Sequence, residues 1–475
     1  MKKIIWTGLL ICHTFVLTAQ RTDMNCRLGF SYETSSSNHW GKDKPLIMKV
    51  YPKSPAEIAG IRQNDIIEKI NGVSVTEIPI DDVDSLLTAT ESYEIELTVS
   101  NFSDSARRVS ITKECYSNSA LNESQLAEAF AMYSVERTHN RLFICPFITI
   151  TTEEPVDFST FKSFDFTVTE DAGNAKMEES INEVLKTELI RKGLQHNTLK
   201  PDMLVHTYYT YRNNPNFKRK SKATEEQEPV FRYDITRDKV TNFPFYNSST
   251  PESEAEYLLQ LGIRFIDQRF IPGRVLWECE ANELMRAPYA LKEYAVIHIP
   301  LMCMQFPYVK YNRNAQFILT KKAYNYTGIC YSINQLNEVI AVDPLSPAYE
   351  AGIRPHDIIE KIENKRMDHT SEEFTASYRR FFTNTLKYRD KSTQFTDANG
   401  FSGCMYWDPA KTAQITKDFS NDKHYMTAFA YLYLFETFIN PSGSSSCTFD
   451  IRRNGEKMQI TLRPVFYSEK TIELN

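Results

Sequence analysis

The chain has 475 residues and a net charge of −6, from 55 Lys and Arg against 61 Asp and Glu, with 41% hydrophobic and 24% charged residues. That balance is globular and excludes wholesale disorder. A mildly acidic chain is also poorly suited to coating a phosphate backbone, so nucleic acid is not an expected partner.

In chain order, residues 1–19 read as a signal peptide. Lys2 and Lys3 form a charged start, and Ile4 to Leu17 is an apolar stretch broken only by Thr7, Gly8, His13 and Thr14. Leu17-Thr18-Ala19 offers a small-residue cleavage site before Gln20. The stretch is short for the roughly 20 residues of a membrane span. Leu10-Ile11 stands before Cys12 where a lipoprotein signal wants a small residue. Farther on, Tyr425 to Ile439 carries Glu436, and Tyr294 to Phe306 is broken by Pro300. The expected product is an exported protein of the periplasm or cell envelope, with no transmembrane segment after cleavage. Of nine cysteines, eight remain, and no two sit at the CxxC spacing of zinc or thioredoxin sites.

The length predicts about three domains, and an internal repeat divides them. Val50 to Ile70 and Val342 to Ile362 match at most positions without a gap, which marks a duplicated module. In each copy a strand ends at Pro52 or Pro344. Ser54-Pro55 or Ser346-Pro347 opens a short helix, with Ser as cap and Pro at the first helical position. Gly60 or Gly352 stops that helix. Asp65 to Ile70, like Asp357 to Ile362, restarts a strand, and in the first copy Asn71-Gly72 is a tight-turn signal. A short helix at Asp82 to Leu87 and a hairpin of Glu94 to Val99 with Arg107 to Thr112 complete the first module, over 26–115.

The run Pro-x-Ser-Pro-Ala-x-x-Ala-Gly-Ile, followed by Asp-Ile-Ile and Asn-Gly, resembles the PDZ domains of bacterial envelope proteases. Arg27-Leu28-Gly29-Phe30 stands where that family has its carboxylate-binding loop. The resemblance implies a partly open β-barrel capped by helices, which binds protein C-termini or extended peptides by adding a strand. Its site residues here would be Arg27, Leu28, Gly29, Phe30 and Ser31, with Ile80, Val83 and Leu87 lining the pocket. In this fold the first and last strands are neighbours, which implies a disulfide between Cys26 and Cys115. Closing that loop is worth roughly 3–4.5 kcal/mol.

Residues 116–140 read as a helical linker, since Asn122 to Tyr133 is rich in helix formers. A central domain over 141–310 follows. A strand is expected around Asp157 to Phe166. Ile181, Val184, Leu185 and Leu189 have helical spacing closed by Lys192-Gly193-Leu194, and a strand starts at Pro201 to Val205. Ile263 to Asp267 with Val275 to Glu278 forms a hairpin, and Leu291 to Met304 a last helix. Asp157-Phe158-Ser159, Lys192-Gly193-Leu194, Pro201 to Val205, Leu276-Trp277-Glu278 and Phe306-Pro307 make this region similar to the exported bacterial DUF4136 family. That resemblance implies an α/β sheet and an envelope address, and no known chemistry.

The second copy spans 323–466. Tyr326-Thr327-Gly328-Ile329 matches the carboxylate loop, which makes Thr327, Gly328 and Ile329 candidate peptide binders. An insertion at about 370–445 separates the repeat from its closing hairpin, Cys447 to Arg452 and Lys457 to Arg463. Thr370-Ser371-Glu372-Glu373 opens that insertion as a capping box, with Phe374, Tyr378, Phe381 and Phe382 as an apolar stripe. The insertion is placed to cover the second groove.

Catalytic patterns are incomplete. Gly400-Phe401-Ser402-Gly403 resembles a serine loop, but Cys404 stands where the nucleophile elbow needs glycine. The nine His, among them His206 and His298, show no metal-ligand spacing. Phe217 to Lys222 is a basic run offset by Glu225, Glu226 and Glu228. The fold class is therefore multidomain α+β or α/β, with two PDZ-like barrels flanking a central sheet. The leading expectation is a non-enzymatic envelope scaffold with no cofactor, associated with an envelope protein complex. The alternatives are an envelope hydrolase or protease-associated factor, and a structural protein whose grooves hold its own chain.

Overall fold

The computed structural model describes residues 24–475 except 90–91, 104–105, 130–140, 169–174, 219–229, 248–249, 397–401, 412, 416, 418–427 and 434–445. The segment 1–19 lies outside the described residues. The chain divides into two compact units. One joins Cys26–Glu114, Arg141–Leu319 and Ile472–Asn475, and the other contains Cys115–Asn140 and Thr320–Thr471. Among the described residues strand outweighs helix, 43% against 23%, and the fold is multidomain and mostly β. No helix among the described residues is long and apolar enough to cross a membrane.

The first module begins with β1 (Met24–Arg27), β2 (Phe30–Thr34), β3 (Pro45–Val50) and α1 (Pro55–Ile58). It continues through β4 (Ile66–Ile70), β5 (Val73–Ser74), α2 (Ile80–Thr88), β6 (Glu94–Ser100) and β7 (Arg107–Thr112). Its sheet runs β2-β3-β4-β6-β7, with β5 on β4, which leaves β2 at an edge. Alternation decides what is buried: Ile95, Leu97 and Val99 of β6 point inward. They join Ile47, Ile67 and Ala56 in one core. Asp65 is the hinge of the repeat. Its carboxylate accepts the Arg62 N–H at 2.9 Å and pairs with Arg107 from the closing hairpin. Cys26 and Cys115 are disulfide-bonded.

The linker is not helical from its start. β8 (Glu114–Ser117) and β9 (Ala120–Asn122) precede α3 (Glu123–Ala129). Asn122 is the reason: its side chain accepts the Gln125 N–H at 2.9 Å, and the Gln125 side chain accepts the Asn122 N–H at 3.0 Å, so the helix is capped there.

The central domain comprises β10 (Arg141–Thr151), β11 (Ser163–Phe166), α4 (Ala175–Arg191), β12 (Gln195–His196), β13 (Met203–Asn213), β14 (Val230–Asp234) and β15 (Lys239–Phe243). The hairpin β16 (Tyr257–Asp267) and β17 (Val275–Met285), α5 (Leu291–Cys303) and β18 (Arg313–Tyr326) follow. The sheet order is β12-β11-β13-β16-β17-β10-β18, closed by the chain's last strand. The α/β expectation needs correction here. Strand pairing is antiparallel through β13, β16, β17, β10 and β18, and parallel where β11 meets β12 and β13. Long hairpins, rather than strand–helix–strand crossovers, build this sheet.

The central core reaches into the first module. Phe306 lies 5.3 Å from Phe102, 5.6 Å from Phe158, 4.6 Å from Phe265 and 5.5 Å from Trp277, between ring centroids. Trp40 packs against Phe102 in a tilted arrangement, with ring centroids 4.6 Å apart. This ring cluster, with each pair worth about 0.5–1.5 kcal/mol beyond area burial, fixes the first module on the central sheet.

The last module contains β19 (Ile329–Ser332), β20 (Val339–Val342), α6 (Pro347–Ala351), β21 (Ile358–Ile362) and β22 (Lys365–Arg366). Then come α7 (Ser371–Thr385), β23 (Arg389–Phe395), β24 (Cys404–Trp407), β25 (Cys447–Arg453), β26 (Glu456–Leu462) and β27 (Val465–Leu474). The repeat is reproduced bond by bond: Asp357 accepts the Arg354 N–H at 2.8 Å and pairs with Arg453 at 2.7 Å. The capping box of Thr370 and Glu373 is formed. Phe381 and Phe382 are buried, while the side chains of Phe374 and Tyr378 lie outside the described residues. From the insertion, Phe429, Tyr431, Leu432 and Tyr433 enter the core of this unit.

Candidate peptide-binding site

The loop before β2 is set by the cap of α1. The Ser54 hydroxyl accepts the Glu57 N–H and donates to the Gly29 carbonyl at 3.0 Å. Gly29 has φ +87°, and a Cβ there would lie 2.1 Å from the Ser54 Cβ, so only glycine lets the loop close on its cap. The Ala56 N–H donates to the Leu28 carbonyl and the Tyr51 N–H to the Gly29 carbonyl, both at 2.9 Å. The carbonyls are thereby held inward. The N–H groups of Leu28 and Gly29 meet no acceptor among the described residues. Because Gly29 and Tyr51 form the bonded pair, Phe30 opposite Val50 falls at a non-bonded position. Its N–H and C=O therefore face the outer edge of β2.

The wall opposite that edge is α2. Val83 and Leu87, expected to line a pocket, are 2% exposed and belong to the module's core together with Leu28. The helix turns its apolar stripe inward, because the sheet is what it must cover. Across the groove the Tyr32 hydroxyl donates to Asp84 at 3.3 Å. Burial and the Asp84 carboxylate push the Tyr32 phenol up to about 12. Arg27 is exposed and Ser31 half-buried, and the Ile80 side chain lies outside the described residues.

The second loop repeats the first. Gly328 has φ +89°, and a Cβ there would lie 2.2 Å from the Ser346 Cβ. The Ala348 N–H donates to the Thr327 carbonyl at 2.9 Å and the Asp343 N–H to the Gly328 carbonyl at 2.8 Å. Here, however, the outward donors are taken. The Thr327 and Gly328 N–H groups donate to Glu123 Oε2 at 2.6 and 2.9 Å. The Thr327 hydroxyl and the Tyr431 hydroxyl, the latter at 2.6 Å, donate to Glu123 Oε1. Glu123 is 2% exposed. Burial pushes its carboxyl up to about 7, against the hydrogen bonds that favour the charged form. Beside it, β9 pairs antiparallel with the outer edge of β19, Cys330 opposite Asn122 and Ser332 opposite Ala120. Ile329 is a core residue, 1% exposed.

A profile of the PDZ domain matches residues 46–100, and one of a domain of unknown function, DUF4136, matches residues 150–308. The crystal structure of a PDZ domain protein from Parabacteroides distasonis ATCC 8503 is 51% identical, covers 95% of this chain and 100% of its own, and gives a TM-score of 0.83. The chain belongs to this family of PDZ domain proteins. The HtrA3 PDZ domain bound to a phage-derived ligand matches at 20% identity, covering 20% of this chain and 88% of its own, with a TM-score of 0.17. PelC from Paraburkholderia phytofirmans matches at 12% identity, covering 35% of this chain and 99% of its own, with a TM-score of 0.18. No curated protein matches.

Outside the PDZ loop the other sequence candidates are scattered. Ser402 is exposed in a turn and Cys404 is buried. His206 bonds Thr167 at 3.0 Å. His298 is fully buried against Tyr294, where burial and Arg232 hold its imidazole well below the usual range. Most of the basic run, 219–222, lies outside the described residues. Among the described residues no three His, Cys, Asp or Glu are grouped to hold a metal ion. Sequence reasoning missed Glu123 and Tyr431. Glu123 reads locally as the first residue of a helix, and its partners lie about 200 and 300 positions away.

Proposed function

We propose that this protein is an exported, non-enzymatic binding protein of the cell envelope, in which two PDZ-like modules flank a DUF4136-like domain. The first module recruits the C-terminus or an extended strand of another protein, and so tethers an envelope complex. One observation carries this reading: the N–H groups of Leu28 and Gly29, which meet no acceptor among the described residues, with that of Phe30 on the outer side of the edge strand β2. A terminal carboxylate would accept from this loop, and the peptide behind it would add to β2 as a further strand. Affinity near micromolar is expected for such a short main-chain interface. Lys2, Lys3 and the apolar run after them support export. The Cys26–Cys115 disulfide fits an oxidising compartment.

The test is fluorescence polarisation of the full chain with a library of labelled hexapeptides carrying free C-termini. Binders should lose at least tenfold in affinity when their C-terminus is amidated. Phe30→Pro, which removes one outward donor, should weaken them too. Peptides that bind equally well as amides would rule out the carboxylate loop, and a library without binders would rule out recruitment through this edge.

A further inference from the structure

The occupied loop of the last module has a meaning of its own. A carboxylate sits on two backbone N–H groups of the loop before β19, and the three residues before it pair as a strand with β19. That is the arrangement proposed above for an outside peptide, except that the carboxylate belongs to a side chain and the strand to the linker. The match is close because the loop is the same. Gly328 and Ser346 repeat Gly29 and Ser54 to within a tenth of an ångström in their close approach, 2.2 against 2.1 Å.

We propose that the second module's peptide site is ligated in cis by Ala120–Glu123, with the Glu123 carboxylate in the place of a terminal carboxylate, so that this module holds the linker and is closed to outside peptides. The inference deepens the reading of the chain as a peptide binder, since it assigns outside recruitment to the first module alone. Three further observations lock the ligand in place. Tyr431 of the insertion donates to Glu123, and Tyr433 donates to the Ala127 carbonyl. Leu126 and Ala127, on the turn of α3 that follows, are buried in the same core as Tyr431 and Phe449. The insertion that distinguishes the second copy is thus the clasp over the ligand.

The experiment uses the full chain and sodium propionate. Glu123→Ala removes the carboxylate and leaves its two amides and two hydroxyls around a hole that a small carboxylate fits. Propionate should then shift the Gly328 amide resonance of the variant saturably and raise its melting temperature, and leave the Gly328 amide of the unaltered chain unmoved. Propionamide, of the same size but uncharged, should act at least tenfold more weakly. A folded Glu123→Ala chain whose Gly328 amide ignores propionate would overturn the proposal. Should that variant fail to fold, Glu123→Gln keeps the shape, and its Gly328 amide should exchange with solvent at least tenfold faster; an unchanged rate is the contrary result. In the unaltered chain, a library peptide that shifts the Gly328 amide would equally refute cis ligation. These readouts sit at Gly328, so they can fail while recruitment through Leu28 to Phe30 stands, and the reverse.

Discussion

Two loops in this chain have one design and opposite states. Around Gly29 and around Gly328 the same serine cap, the same glycine and the same pair of inward carbonyls are built. At the first loop the N–H groups of Leu28 and Gly29 meet no acceptor among the described residues, whereas at the second the matching donors hold Glu123. Duplication therefore copied a set of donors, and what lies on them was decided by sequence outside the repeat. The linker supplies a carboxylate after a short strand, and the insertion supplies the aromatic clasp. The two modules are also closed differently. The first has a covalent staple at its ends, while the second has a buried carboxylate.

The largest expected effect lies in that staple. Replacing Cys26 and Cys115 by Ser should destabilise the first module by about 3–4.5 kcal/mol through loop-closure entropy. The check is urea unfolding followed at Trp40, which is 1% exposed in this module. Hydrogen exchange at Gly328 should stay the same. Equal loosening of both modules would show that they do not stabilise independently, and the comparison would lose its basis.

Much of the first module was legible because its determinants are local. Ser54, Pro55 and Gly60 announce a capped and stopped helix within seven residues, and the structure has Ser54 as the cap and Gly60 at φ +82°. The same signals located the second copy. The groove wall was misread for a physical reason: a helix of nine residues over a sheet has one apolar stripe, and Val83 and Leu87 serve the core rather than a ligand. The α/β expectation for the central sheet came from the DUF4136 resemblance, and local spacing could not correct it, because spacing reports strands but not their partners: β10 pairs with β17 and β18 far along the chain. Glu123 was illegible on the same ground. An acidic residue at a helix start is ordinary, and nothing nearby in sequence says that it is buried.

A smaller effect separates the two loops by pH. The folded chain raises the Glu123 carboxyl from its ordinary 4.5 to about 7, so the native state binds its proton more tightly than the unfolded state. Stability from this group is then greatest below pH 4.5 and falls as pH rises to 7, by roughly 3 kcal/mol, and is level above. Urea midpoints of the second module at pH 5 and 7.5 should differ in this sense for the natural chain, and the difference should shrink in Glu123→Gln. An identical pH slope in the two chains would mean that Glu123 is charged and solvated rather than buried.

The smallest effect concerns the clasp. Tyr431 donates to Glu123 and lies 2.6 Å from the Tyr331 hydroxyl. Tyr431→Phe keeps the ring in the core, where it meets Phe449 at 5.6 Å, and deletes the hydroxyl that donates to Glu123 and bonds the buried Tyr331 hydroxyl. The second module should lose about 1.5–3 kcal/mol, the worth of one hydrogen bond to a charged acceptor. With one fewer donor favouring the charged form, the Glu123 carboxyl should titrate higher still, so the loss of stability should extend to a higher pH than in the natural chain. A packing role alone would leave that pH window unmoved. The upward displacement of the window is therefore the observation that distinguishes a clasp on a carboxylate from an aromatic ring that merely fills space.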